Sequence, residues 1–75
     1  MARARIEAGW VVIDVPGVDP LIPVSIGVAG QPPEAAFRDG AVARVQLPSG
    51  LQPGRPVPVV LEVSGHSEKA GNLQV

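Results

Sequence analysis

Cysteine and tyrosine are absent from this 75-residue chain, and its aromatics are reduced to Trp10 and Phe37. Without cysteine there is neither a disulfide nor a thiolate metal site to supplement a small core, so aliphatic packing has to suffice. Two aromatics are too few for a platform on which sugars or bases stack, and the core is the expected place for each. His66 is the only histidine, which leaves zinc short of the several imidazole or thiolate ligands it usually takes. Charged residues make up 17% of the chain with a net charge of −1. Binding to phosphates needs a basic surface, whereas Arg3, Arg5, Arg38, Arg44, Arg55 and Lys69 are scattered, so no nucleic-acid partner is expected. No apolar run approaches the roughly 20 residues that span a bilayer, and no membrane insertion is expected. The basic start Met1 to Arg5 leads to Glu7 and Asp14 rather than to an apolar stretch, unlike a signal peptide.

What the chain does have is aliphatic, β-branched runs punctuated by nine prolines and nine glycines. This is the pattern of an all-β protein, and the length admits one core. Gly9 to Val15 reads as a strand stopped by Pro16-Gly17, with Val11, Ile13 and Val15 on one face and Trp10, Val12 and Asp14 on the other. After a connector over Val18 to Ile22, Val24, Ile26 and Val28 alternate with small residues in a half-buried strand that Gly30 to Pro33 ends. Pro32-Pro33-Glu34 would suit a helix start, but Asp39-Gly40 suits a type I′ hairpin and favours a strand Ala35 to Arg38 turning into Ala41 to Leu47. Pro48 to Pro56 is a loop. Val57, Val59, Leu61 and Val63 then alternate with Pro58, Val60 and Glu62, with Pro58 expected at an edge or a strand start. Ser64 to Ser67 reads as a turn and Leu73 to Val75 as a short last strand. The expected fold is a small antiparallel β-sandwich of about six strands over residues 9–75, incomplete at its edges, preceded by an N-terminal arm over residues 1–8.

The stretch VQLPSGLQPGRPVPVVLEVSGHS resembles the closing region of an immunoglobulin-like domain related to the IPT/TIG type, found at the C-terminus of large exported bacterial proteins. Leu47, Pro48, Ser49, Gly50, Leu51, Pro53, Gly54, Val57 to Leu61, Val63 and Gly65 carry the likeness. VSIGVAGQPPEAAF resembles the hairpin before it, so the likeness spans about Val24 to Val75. It implies an immunoglobulin-like fold and an extracellular or cell-surface setting as part of a longer precursor. Its partner would be a protein or the rest of its own chain. The chain departs from the pattern at Asp39-Gly40, where relatives carry a longer loop containing an aromatic residue.

The chemical inventory is sparse. His66 beside Ser67 invites a nucleophile reading, yet neighbours on an extended chain point to opposite sides while a nucleophile and its base must approach within about 3 Å. No Asp/Glu spacing matches a calcium loop, and Asp14 and Asp19 around Pro16-Gly17 are expected to cap or to face solvent. GVAGQ and PSGLQPG lack the adjoining Lys-Ser/Thr pair of a phosphate loop. No residue is therefore assigned a catalytic, cofactor or metal role. Three readings remain: a non-catalytic accessory or interaction module acting through sheet edges and loops, a structural spacer or self-assembling β unit that completes its core by oligomerisation, and a small hydrolytic or metal site centred on His66; exposed strand edges would also allow a homodimer.

Overall fold

A computed structural model describes residues 2–75 of the chain. These form eight strands: β1 (Ala4–Glu7), β2 (Trp10–Asp14), β3 (Val24–Val28), β4 (Glu34–Ala35), β5 (Phe37–Asp39), β6 (Val42–Gln46), β7 (Pro56–Val63) and β8 (His66–Gln74). They make two four-stranded sheets, ordered β1-β2-β6-β5 and β4-β3-β7-β8, and every pairing is antiparallel. Adjacent strands form four antiparallel pairs, β1–β2, β3–β4, β5–β6 and β7–β8, and the chain changes sheet after β2, β4 and β6. Two facing antiparallel sheets of four strands make a small β-sandwich. The connector Leu47 to Arg55 carries the chain from β6 in one sheet to β7 in the other.

Period-two alternation explains why the sheets face each other as they do. Val11, Ile13 and Val15 meet Ala43 and Val45 on the inner face of one sheet, and Val24, Ile26, Val28, Val57, Val59 and Leu61 line the other. No charged or polar side chain is buried among the described residues. Val12 shows that burial alone does not define this core. It is only 4% exposed, yet it lies on the outer face between its cross-strand partners Arg5 and Arg44 and outside the core cluster. The aliphatic stems of long cationic side chains give such cover.

Several expectations are corrected. The described part of the expected N-terminal arm, residues 2–8, belongs to the sandwich: β1 pairs with β2, Ala4 joins the core and Ile6 packs against it, because Ala-Arg-Ile-Glu alternates inward and outward like the other strands. Met1, part of that expected arm, lies outside the described residues. The single strand expected over Ala35 to Arg38 is split between the sheets: Glu34 and Ala35 pair with β3, while Phe37 to Asp39 pair with β6. The Ala36 N–H donates to Val24 O at 2.8 Å at the crossing. The loop between β5 and β6 is Gly40-Ala41, with positive φ at Gly40 (+61°) alone, the sign pattern of a type II′ rather than a type I′ turn. Pro58 is neither at an edge nor at a strand start. It sits inside β7 beside a bulge, the other site where a sheet tolerates proline. The strand count is thus eight rather than about six.

The last strand is the largest correction. Ser64-Gly65 alone forms the turn, and β8 runs from His66 instead of starting at Leu73. Its pairing with β7 slips between Pro58 and Val60, leaving Ala70 and Gly71 together opposite Val59, with Gly71 at φ +77°. The extra residue puts Ala70 and Leu73, three apart, on the same buried side.

Two hairpin loops have positive φ at both central residues: Ala8-Gly9 (50° and 84°) and Ser64-Gly65 (50° and 76°). Alanine is a poor occupant of the left-handed region, which asparagine tolerates. Ala8→Asn is expected to stabilise the domain by about 0.5 to 1 kcal/mol and raise Tm by about 2 to 8 °C. Gly9→Ala should lower Tm, and thermal melts followed by circular dichroism check both.

Candidate interaction surface

The hairpin β7–β8 sets the geometry of the one histidine. His66 faces Val63 across the hairpin and Ser67 faces Glu62. The Ser67 hydroxyl donates to Glu62 Oε2 at 3.4 Å on the outer face. His66 and Glu68 instead line a cleft of about 690 Å³ between the sheet borders formed by β1 and β8, floored by Ala4, Val15 and Leu61. Imidazole and hydroxyl therefore sit on opposite sides of β8, as the extended chain requires. Among the described residues no group of three or more His, Cys, Asp or Glu side chains converges on a common point. Asp19 caps its own turn, accepting the Leu21 N–H at 2.9 Å, and Asp14 accepts from Arg5.

Neither aromatic is in the core, contrary to expectation. Trp10 is half-buried and Phe37 is 64% exposed, and the two meet edge to face on the outer surface of the β1-β2-β6-β5 sheet, with centroids 5.9 Å apart. The Arg44 guanidinium lies 4.9 Å from the Trp10 ring centroid, a cation–π contact. The alternation that turns Val11 and Ile13 inward turns Trp10 outward, and Phe37 follows as the partner of Arg44 across β5–β6. The charges on this face already have partners. Arg5 contacts Glu7 and binds Asp14 through Nη1 to Oδ2 at 2.9 Å, and Arg44 lies 3.7 Å from Asp39. The Glu7 hydrogen bond, then the one from Asp14, holds the Arg5 guanidinium above its ordinary value. Each of the two cations described on this face, Arg5 and Arg44, thus lies beside a carboxylate.

The four sheet borders differ sharply. β4 is two residues long. β5 is guarded by Arg38, whose Nη1 donates to the carbonyls of Asp19 and Ile22 at 3.3 Å and whose Nη2 donates to Val18 at 2.9 Å and Gly40 at 3.1 Å. This fan lays the Val18 to Ile22 connector against the strand. β1 has four residues. β8 has nine, and among the described residues no backbone hydrogen bond outside its pairing with β7 reaches any of them. Hydrogen-bonded and non-bonded pairs alternate along an antiparallel ladder. The tight Ser64-Gly65 turn therefore directs the backbone groups of His66 and Glu68 to β7, and those of Ser67 and Lys69 outward.

Beyond Lys69 the border is less open. Arg3 lies over Gly71, so that a Cβ there would stand 3.4 Å from Arg3 Cγ, and the bulge twists the strand. The open part of β8 is thus the turn-proximal half, with the cleft beside it. Sequence reasoning missed this edge because it assigned His66 and Ser67 to a turn. The signal was the Ser64-Gly65 dipeptide after an eight-residue strand, a pattern that calls for an immediate return strand. In comparisons with protein-family models, curated proteins and solved structures, the chain finds no match.

Proposed function

We propose that this domain is a non-catalytic interaction module of immunoglobulin type that recruits an extended segment of a protein partner by strand addition along β8. The observation that carries the reading is the turn-proximal half of the nine-residue β8, whose outer border pairs with no other strand among the described residues and whose main-chain groups at Ser67 and Lys69 point outward. In strand addition the main chain supplies affinity, and pockets for alternate side chains supply specificity. The cleft bordered by His66 and Glu68 lies where alternate side chains of an added strand would enter. The resemblance of Leu47 to Gly65 to IPT/TIG-related closing domains supports an extracellular or cell-surface setting, as part of a longer exported bacterial protein. A catalytic reading centred on His66 gains nothing from a serine on the opposite face of its strand.

A phage-displayed library of extended nonapeptides, selected against the immobilised domain, tests this. Binders should emerge that hold the wild type and Lys69→Ala but lose Lys69→Pro, which removes one outward N–H. Failure to enrich binders, or binders indifferent to the proline, would overturn the reading.

A further inference from the structure

We infer that β8 pairs with the β8 of a second copy of this chain, antiparallel, with Ser67 facing Ser67 across a two-fold axis. The inference rests on the strand-addition reading and names its partner. A two-fold axis normal to the sheet centres the register on one residue, which then faces its own copy. The open half of β8 offers four centres: His66, Ser67, Glu68 and Lys69. Centring on Glu68 or Lys69 sets like charges directly opposite, which is destabilising. The Lys69 register also drives Ser67 against Gly71 of the other copy, where the bulge and Arg3 lie. Centring on His66 runs the pairing off the strand into the Ser64-Gly65 turn.

Only the Ser67 register is self-complementary. Ser67 exchanges its outward N–H and C=O with its own copy, and His66 of each chain lies opposite Glu68 of the other, so that an imidazole N–H donates to a carboxylate twice. Those facing residues form a non-hydrogen-bonded pair, whose Cα atoms stand about 4.5 Å apart and whose side chains are close. The pairing stays within the half of β8 that Arg3 and the bulge leave free. One isologous contact closes the exposed border of both copies together, which a foreign strand would do for one only. The interface is small, so the dimer is weak and concentration-dependent.

The full chain has no cysteine, so an introduced thiol is the only one present. Facing Ser67 Cα atoms about 5.5 Å apart fall within the range that a disulfide bridges. Under mild oxidation Ser67→Cys should form a covalent dimer at least about tenfold faster than Lys69→Cys, which faces Gly65. Sedimentation velocity from micromolar to near-millimolar protein should show a reversible dimer of the wild type. His66→Glu should weaken it about threefold to thirtyfold by creating two like-charge pairs, and adding Glu68→His to that variant should restore it. Melting curves confirm that each variant is folded.

A monomer at every concentration, or equal cross-linking at positions 67 and 69, would overturn the inference. If copies remain monomeric while displayed peptides still bind the wild type and not Lys69→Pro, the second copy is the wrong partner and strand addition stands. If both experiments fail, both readings fall.

Discussion

Ile13→Ala lowers the midpoint of urea unfolding by roughly 2 M or more, with little change in the slope. Ile13 in β2 is fully buried inside the cluster formed by both sheets. Truncation of a buried isoleucine to alanine costs about 2 to 5 kcal/mol, because transfer energy is lost and a cavity remains. A chain of this size has about 4 to 11 kcal/mol in total, and this one has no disulfide to limit the loss. Val12→Ala is the control. Val12 is nearly as buried as Ile13, but its cover is the stems of Arg5 and Arg44, which can settle into the space. Its cost should stay below about 1.5 kcal/mol. Equal losses at the two positions would show that the outer face is packed as rigidly as the core.

Lys69→Pro abolishes strand addition at β8 while leaving the domain folded, whereas Glu68→Pro destabilises it. The two positions are neighbours, but their backbone groups point in opposite directions. Glu68 faces Leu61 of β7 within the ladder, and proline there leaves a β7 acceptor without its donor, at a cost of about 1 to 3 kcal/mol. Lys69 turns its N–H to solvent, the one orientation in which a strand accepts proline without losing an internal bond. An added strand needs that donor, so binding of displayed peptides should be lost with a Tm close to that of the wild type. Binding that survives Lys69→Pro would place the recognition elsewhere, and the exposed Phe37 beside Trp10 would become the next surface to test.

The inner strands were legible because both their faces obey one rule. In β2, β3, β6 and β7 the aliphatic residues recur every second position, and those same residues form the core. The outer elements were not legible, for physical reasons specific to each. β1 buries one small side chain, Ala4, so its alternation carries little hydrophobic contrast. In β8 the bulge at Gly71 sets Ala70 and Leu73 three apart, and a period of two cannot find them. Ala36 conceals a change of sheet inside what reads as one strand. The aromatics were misplaced by treating size as a sign of burial, although the alternation already put Trp10 on the same face as Asp14. Of the candidate surface, the opposition of His66 and Ser67 was readable from strand geometry, but the free border was not. A border depends on which strand lacks a neighbour, and that is a property of the topology rather than of any local segment.

Amide hydrogen exchange, resolved by residue, is the most direct test of the free edge and its use. In dilute protein the Ser67 and Lys69 amides should exchange close to solvent rates while Glu68 between them is protected by β7. Saturation with a peptide selected from the displayed library should slow both, at least about tenfold, and leave the amides of Phe37 to Asp39 unchanged. Ser67 and Lys69 amides that are already protected in dilute protein, or that are unaffected by the bound peptide, would contradict the account.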